Sequence, residues 1–111
     1  MPDRDLLQGT LDLMVLKALS LEPMHSWGIG QRIDQFSRDV FSVQQGSLYP
    51  ALQRMLRKGW IRSEWRMSEH HRRARFYHIT RTGRAELKER AAGWARASAA
   101  VASILRLRTV P

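Results

Sequence analysis

The segment between residues 66 and 75 has the highest density of basic side chains in the sequence. It places arginine and histidine side chains around one acidic residue, Glu69. Its basic members are Arg66, His70, His71, Arg72, Arg73 and Arg75. Such a cluster attracts phosphate groups, and a loop that carries it would follow a nucleic-acid backbone or enter a minor groove. A loop that only had to be soluble would not need this density of charge, so we expect the loop as a unit to contact DNA.

A second polar set surrounds the start of a predicted helix near residue 46. Its members are Gln44, Gln45, Ser47, Tyr49, Gln53, Arg54 and Arg57. Glutamine can bond adenine bidentately and arginine can bond guanine, so Gln45, Gln53 and Arg54 are the candidates for reading bases. Ser47 and Tyr49 suit phosphate contacts at a helix N-terminus. The alternative is that Arg54, Arg57 and the adjacent Lys58 only form a solvated helix face.

Other chemistries find little support in the sequence. The chain has no cysteine, which excludes disulfides, cysteine-based zinc sites and thiol catalysis. His70 and His71 are adjacent on a loop without further ligands nearby, so we do not expect a metal site there. No catalytic triad, carboxylate pair or glycine-rich phosphate loop stands out. We therefore predict a protein that is not an enzyme and needs no cofactor.

Net charge points to the class of partner. Lys and Arg number 19 against 10 Asp and Glu, which gives a formal charge of +9 over 111 residues. This balance favours a polyanion, nucleic acid first and an acidic membrane surface second. Residues 1–21 are interrupted by Gln8, Asp12 and Lys17, which is typical of neither a signal peptide nor a spanning helix. We expect a cytoplasmic protein without a membrane partner.

The elements that must position these side chains begin with two helices. Leu7, Leu11 and Met14 share one face of the first, and its apolar surface is wider than packing on one side requires. Glu22-Pro23 ends this helix. The second runs from about residue 25 to 38, with Ile29, Ile33 and either Phe36 or Trp27 facing inward. Gly28 and Gly30 either weaken this helix or allow a close approach of another backbone.

A short extended piece at 40–43 precedes the third helix. This helix opens at Gly46-Ser47, with Ser47 as N-cap, and Gly59 ends it in a left-handed conformation. Its predicted core face consists of Leu48, Leu52, Met55 and Leu56.

Alternating residues then predict two strands, at 60–66 and 75–80. The connector from Met67 to Ala74 is basic and long for a hairpin turn. Three helices followed by a hairpin predict a mainly α fold with a small β-hairpin, a winged helix-turn-helix spanning residues 1–80. In this fold the third helix enters the major groove of double-stranded DNA and the hairpin forms the wing.

Thr80 is the predicted cap of a last helix, from about Arg81 to Leu105. Its apolar or small residues recur in alternating steps of four and three, at Leu87, Ala91, Trp94, Ser98, Val101 and Leu105. This spacing is typical of the seam between two helices. Because the compact domain is already complete, the stripe needs a partner, and a second subunit is the simplest one. We therefore assign residues 81–111 to a C-terminal dimerisation helix and tail.

Several motifs are similar to those of a known family. They are Leu7-Gln8-Gly9-Thr10-Leu11, Pro23-Met24-His25, Gly46 to Leu52 (GSLYPAL), Trp65 to Glu69, Arg72-Arg73, and Tyr77 to Arg84 (YHITRTGR). Together they resemble the PadR family of bacterial transcriptional regulators over roughly residues 6–105. The single C-terminal helix is similar to the smaller of its two subtypes. Ser26-Trp27 departs from the Gly-Tyr usual in the family.

The resemblance implies repression by a homodimer that binds a palindromic operator, relieved in some members by a hydrophobic or aromatic small molecule. It also implies that the first and last helices of two copies pack together, which would place Leu7, Leu11 and Met14 in the interface. Trp94 falls near an aromatic residue that lines an effector pocket in multidrug-sensing relatives. Plain interface packing is the alternative for this ring.

Two other functions remain open at the level of sequence. A winged helix can serve as a protein-interaction module, although such a wing need not be so basic. A non-specific nucleic-acid-binding protein would display aromatic residues on a sheet, and Trp65, Phe76 and Tyr77 lie on predicted strands.

Overall fold

A computed structural model describes residues 4–67 and 69–110, with side chains from residue 9 onward. Its elements are α1 (Arg4–Leu21), α2 (Ser26–Phe36), α3 (Gln45–Arg57), β1 (Ile61–Met67), β2 (Arg73–Ile79) and α4 (Arg81–Leu105). The predicted fold class, a mainly α chain with one antiparallel hairpin in winged-helix order, is confirmed.

The core lies where α1, α2 and α3 meet the base of the hairpin. Each helix contributes apolar side chains at helical spacing, including Leu16, Ile29 and Leu52, and β2 adds the ring of Tyr77. All four are almost completely buried. The helices therefore form one packed unit with the hairpin.

A backbone bridge fixes the hairpin to the helices. Within the hairpin, Ile61 pairs with Ile79 at the base and Met67 with Arg73 near the tip. Met24, in the link between α1 and α2, exchanges hydrogen bonds with Tyr77, at 3.2 Å from its N–H and 2.8 Å to its C=O. The wing base is thus held as if by a short third strand.

The joint between the hairpin and α4 is equally tight. Thr80 caps α4 as predicted, because its hydroxyl oxygen accepts a hydrogen bond from the Gly83 N–H at 3.0 Å. The same hydroxyl lies within hydrogen-bond distance of the Gly59 and Trp60 carbonyl oxygens, to which it can donate. Gly83 is buried, and a Cβ there would overlap the Trp60 carbonyl. Gly59 adopts the predicted left-handed conformation, with φ of 75°. The first turn of α4 is therefore seated on the turn between α3 and β1.

The predicted interior of α2 is partly wrong. Ile29 and Ile33 are buried, but neither aromatic candidate points inward, since Phe36 is 73% and Trp27 60% exposed. The short helix offers only one narrow face to the core, and Gly30 lies beside those isoleucines on it. A Cβ at Gly30 would lie 3.1 Å from the Gln45 amide, so this glycine allows α3 to approach closely.

Some predicted boundaries also shift. Helix α3 begins before Ser47, with Gln44 as the N-cap and no side-chain capping bond. Asp34 accepts the Val43 N–H at 2.9 Å and so holds the chain that leads into this helix. The turn occupies residues 37–39, with Arg38 and Asp39 in left-handed conformations, and the predicted extended piece at 40–43 pairs with no strand. Toward the wing tip the strands extend beyond their predicted ends, to Met67 in β1 and Arg73 in β2, while at the base each is one residue shorter than predicted.

Helix α4 extends away from this body. Gly83 is its one buried residue in the part of the chain that the structure describes. The molecule measures 62 Å along its long axis against 28 and 24 Å across. Across residues 4–67 and 69–110, the helices are too short or too polar to cross a membrane.

Candidate nucleic-acid interface

The first turn of α3 presents a polar surface. Gln44, Gln45, Ser47 and Tyr49 are exposed, and Gln53 is half-buried one turn further on. The amide of Gln45 donates to the Ser26 carbonyl at 3.3 Å, which ties this turn to the start of α2. Free N–H groups at this helix end favour a phosphate, and the side chains around them can donate or accept hydrogen bonds.

Arg54 is turned away from this surface. Its guanidinium donates to Asp12 of α1, whose side chain is only 3% exposed, while that of Arg54 is 20% exposed. Burial raises the pKa of Asp12, and the Arg54 charge opposes this rise. A base contact by Arg54 would require this pair to open. Arg57 is exposed in the last turn of α3, at the far end of the helix from Gln45.

Ion pairs and ring contacts link side chains along the middle of the two wing strands. Glu64 accepts from Arg66 at 2.8 Å and contacts His78 at 2.9 Å, and these bonds lower the pKa of its carboxyl group. Arg66 lies over the Phe76 ring at 4.8 Å. Arg75 donates to the Ser63 hydroxyl at 2.9 Å and is half-buried. The strands thus carry their charges on a stiff support.

The tip of the wing projects its cations into solvent. His71, Arg72 and Arg73 are exposed, and His71 takes a left-handed conformation with φ of 57°. The Arg73 guanidinium lies 4.9 Å from the Trp65 ring centre. No group of three or more potential metal ligands converges in the described part of the chain, His70 and His71 included.

A cleft separates the start of α3 from the wing. It encloses about 530 Å³, and Tyr49 lines one side while Arg72, Arg73 and Arg75 line the other. The structure therefore brings Tyr49 of α3 to the same cleft as the wing cations, with Gln45 hydrogen-bonded to the cleft residue Ser26. Arg54 and Arg57 are not among the lining residues. We call this space the wing cleft.

Three further residues at the wing cleft were not among the predicted DNA-binding residues. His25 is the N-cap of α2, since its Nδ1 accepts the Gly28 N–H at 3.0 Å. Trp27 and Trp65 line the wing cleft with largely exposed rings. The available signal for the tryptophans was their position beside polar runs rather than in an apolar stripe.

The predicted dimerisation residues lie along a second, apolar surface. A groove of about 480 Å³ runs between α1, α2 and α4, and Met14, Leu87 and Ala91 are among its lining residues. Leu11 packs against the core. Trp94, Ser98, Val101 and Leu105 continue along α4 as exposed side chains. Leu7 lies in α1, but its side chain is outside the described residues.

Comparison with known proteins places this architecture in context. Residues 15–89 match the model of the Transcriptional regulator PadR-like family. A PadR-like transcriptional regulator of Bacillus cereus superposes with a TM-score of 0.81 at 26% identity, over 94% of this chain and 99% of its own. A PadR family regulator of Eggerthella lenta gives 0.78 at 25% identity, over 94% and 88% of the two chains.

Two more relatives extend this comparison. A transcriptional regulator of Clostridium thermocellum shares the fold, with a TM-score of 0.83 at 21% identity, over 96% of this chain and 100% of its own. An uncharacterised protein of Lysinibacillus sphaericus is 26% identical over 91 residues, which are 82% of this chain and 84% of that protein.

Proposed function

Because this chain belongs to the PadR-like family of transcriptional regulators, we propose that it is a homodimeric, sequence-specific repressor released from its operator by a small molecule. The observation that carries the DNA-binding part is the cleft that Tyr49, in the exposed first turn of α3, shares with the basic residues of the wing. A net charge of +9 supports the same partner, double-stranded DNA.

In this proposal the first turns of α3 enter the major groove. Gln45 and Gln53 read base edges, and Ser47 and Tyr49 hold phosphates. Gln45 is exposed yet anchored to α2, so its amide is presented in a fixed position. Arg72 and Arg73 follow the DNA backbone from the wing, which adds affinity that depends on salt.

The proposed dimer uses α1 and α4. Val101 and Leu105 are 55% and 78% exposed on the part of α4 that follows the groove-lining residue Ala91. Single exposed apolar residues are ordinary, but a stripe continuous with an apolar groove is typical of an interface. We assign the groove between α1, α2 and α4 to the α4 helix of a second copy. That helix would also cover the exposed parts of Leu11 and Met14.

Trp94 is the proposed contact for a small hydrophobic or aromatic effector at that interface. It is 49% exposed, and it lies about one turn beyond Ala91, outside the groove lining. Stacking of an effector requires a gap between the two subunits. Without one, we assign the ring to packing against the partner helix.

The alternatives receive less support. A non-specific coating protein needs several rings displayed on the sheet. Tyr77 is 1% exposed and Phe76 is covered by His25 and Arg66, which leaves Trp65 as the ring available on the described strands. A protein-interaction wing would not require the cations at its tip.

The experiment that tests this function combines selection of bound genomic fragments with sedimentation of the purified protein. We expect a shared motif with two half-sites about one helical turn apart and a dimer in solution. A monomer that ignores duplex DNA at low salt would overturn the proposal. A reporter strain from which the motif has been deleted distinguishes repression from activation. Deletion should raise expression if the protein is a repressor and lower it if the protein is an activator.

A further inference from the structure

The wing cleft has the chemistry of a ligand site as well as of a DNA surface. Its volume of about 530 Å³ falls within the usual range for small-molecule pockets. It shares none of its lining residues with the apolar groove on α1 and α4. Formation of the proposed dimer through α1 and α4 would therefore leave it open.

Large aromatic side chains stand exposed around this cleft. Trp27, Trp65 and Tyr49 are 60%, 58% and 49% exposed. Exposed rings lose the free energy that burial would give them, so a cleft that gathers three of them is suited to a flat apolar surface. None of the three was needed for the core, which is complete without them.

Two of these rings, Trp27 and Trp65, lie against neighbouring side chains. The His25 ring lies 6.2 Å from Trp27 and meets Phe76 edge-on at 5.4 Å, while its Nδ1 is fixed by the cap of α2. Arg73 lies over Trp65, and a guanidinium plane can itself stack on a base. A fixed platform costs less entropy when a ligand binds.

The polar lining of the cleft has both signs. Arg73 and Arg75 supply positive charge that suits a phosphate, and Glu69 supplies an acceptor for an amino or hydroxyl group. Flat heteroaromatic surface, phosphate and hydrogen-bond donors occur together in nucleotides. Base stacking on aromatic side chains combined with arginine contacts is the general mode by which proteins bind unpaired nucleotides.

We propose that the wing cleft binds a nucleotide, with its base on the Trp27 and Trp65 rings and its phosphate near Arg73 and Arg75. Two sources share this chemistry, a free nucleoside phosphate and an unpaired nucleotide of a strand. Because the cleft lies between α3 and the wing, an occupant excludes a duplex backbone from the same space. This regulatory consequence rests on the proposed function, whereas nucleotide binding itself does not.

Calorimetric titration of the full chain with adenosine and guanosine 5′-monophosphates tests the site. The matched controls are adenosine, which lacks the phosphate, and ribose 5-phosphate, which lacks the base. We expect saturable binding of at least one nucleotide and at least tenfold weaker binding of both controls. Equal binding of ribose 5-phosphate, or of benzoate as a simple aromatic anion, would overturn the assignment, as would no binding at millimolar concentration.

Two pairs of variants locate the site. Trp65→Ala should weaken nucleotide binding at least about fivefold, since one stacking contact is lost. Met67→Ala, on the same strand but outside the cleft lining, should leave it unchanged. Arg73→Ala and Arg62→Ala form the equivalent pair for charge. Thermal melts of all four verify folding, and equal effects within either pair would contradict the location.

The source is distinguished by ligand length and by competition. If an oligothymidine of eight residues binds far more tightly than thymidine 5′-monophosphate, the ligand is an unpaired strand. If the two bind with equal affinity per site, the ligand is a free nucleotide. Displacement of a bound duplex by the nucleotide supports the regulatory consequence. If no duplex binds wild-type protein while the nucleotide does, the proposed function fails and the site stands.

Discussion

Asp12 of α1 accepts a hydrogen bond from the Arg54 guanidinium of α3 across the interior of the domain. This contact joins the helix that we assign to the dimer with the helix that we assign to the major groove. A buried ion pair adds little stability over an apolar pair, because desolvation offsets the attraction, but it allows only one relative placement of its partners. We therefore regard Asp12 as a positioning residue for α3.

Replacing Asp12 should destabilise the fold in a way that depends on the substitute. Asp12→Ala leaves the Arg54 charge without its partner and should cost about 3 kcal/mol of unfolding free energy. Asp12→Asn keeps an oxygen acceptor and should cost less. Urea denaturation at one protein concentration measures both, and equal stability of wild type and Asp12→Ala would show that the pair does not matter.

The same pair predicts a dependence on pH. The pKa of Asp12 is raised above its ordinary value of 3.8 by burial, so the folded state binds this proton more tightly than the unfolded state. This tighter proton binding stabilises the folded state fully below pH 3.8, and the stabilisation is lost as pH rises through the raised pKa of Asp12. Relative to Asp12→Asn, wild type should therefore lose stability between acidic and neutral pH. A constant difference between the two stability profiles would contradict this.

Removal of the wing cations should weaken binding to all duplexes about equally. Arg72→Ala combined with Arg73→Ala should reduce the slope of log affinity against log salt by about 2, at roughly 0.9 per phosphate contact. Fluorescence anisotropy with matched and scrambled duplexes measures it. The control is Arg106→Ala with Arg108→Ala, which removes the same charge beyond α4. Identical slopes for both double variants would place phosphate binding elsewhere.

Gln53→Ala should change sequence preference rather than general affinity. A lost bidentate contact would cost about 1–3 kcal/mol at particular base pairs. Selection of random duplexes by variant and wild type compares the preferred motifs. Gln35→Ala, an exposed glutamine on α2, is the control. An unaltered motif in Gln53→Ala would remove this residue from the base-reading set.

Val101→Asp should give monomers with poor operator affinity, because it places charge in the proposed seam. Ala99→Asp adds the same charge on the opposite side of α4 and should remain a dimer. Analytical ultracentrifugation of the two variants makes the comparison. Dimers of Val101→Asp would show that the subunits meet on another face.

Much of the fold followed from periodicity and caps. Thr80 and Gly59 were recognisable because capping and left-handed turns select particular residue types. The outward rings of Trp27 and Phe36 were not, since helical spacing alone does not tell which side of a short helix meets the core. The Asp12–Arg54 pair joins residues far apart in sequence, and no local pattern reports such a contact.

Gly83 sets the angle between α4 and the rest of the domain. Because it lets the first turn of α4 pack directly onto Trp60, the winged-helix domain and α4 are held at one fixed angle. In a twofold dimer formed through α4, that angle would determine the distance between the two winged-helix domains. One alanine inserted after Gly83 would turn the rest of the helix by about 100°, and with it the operator geometry that a pair of subunits can recognise.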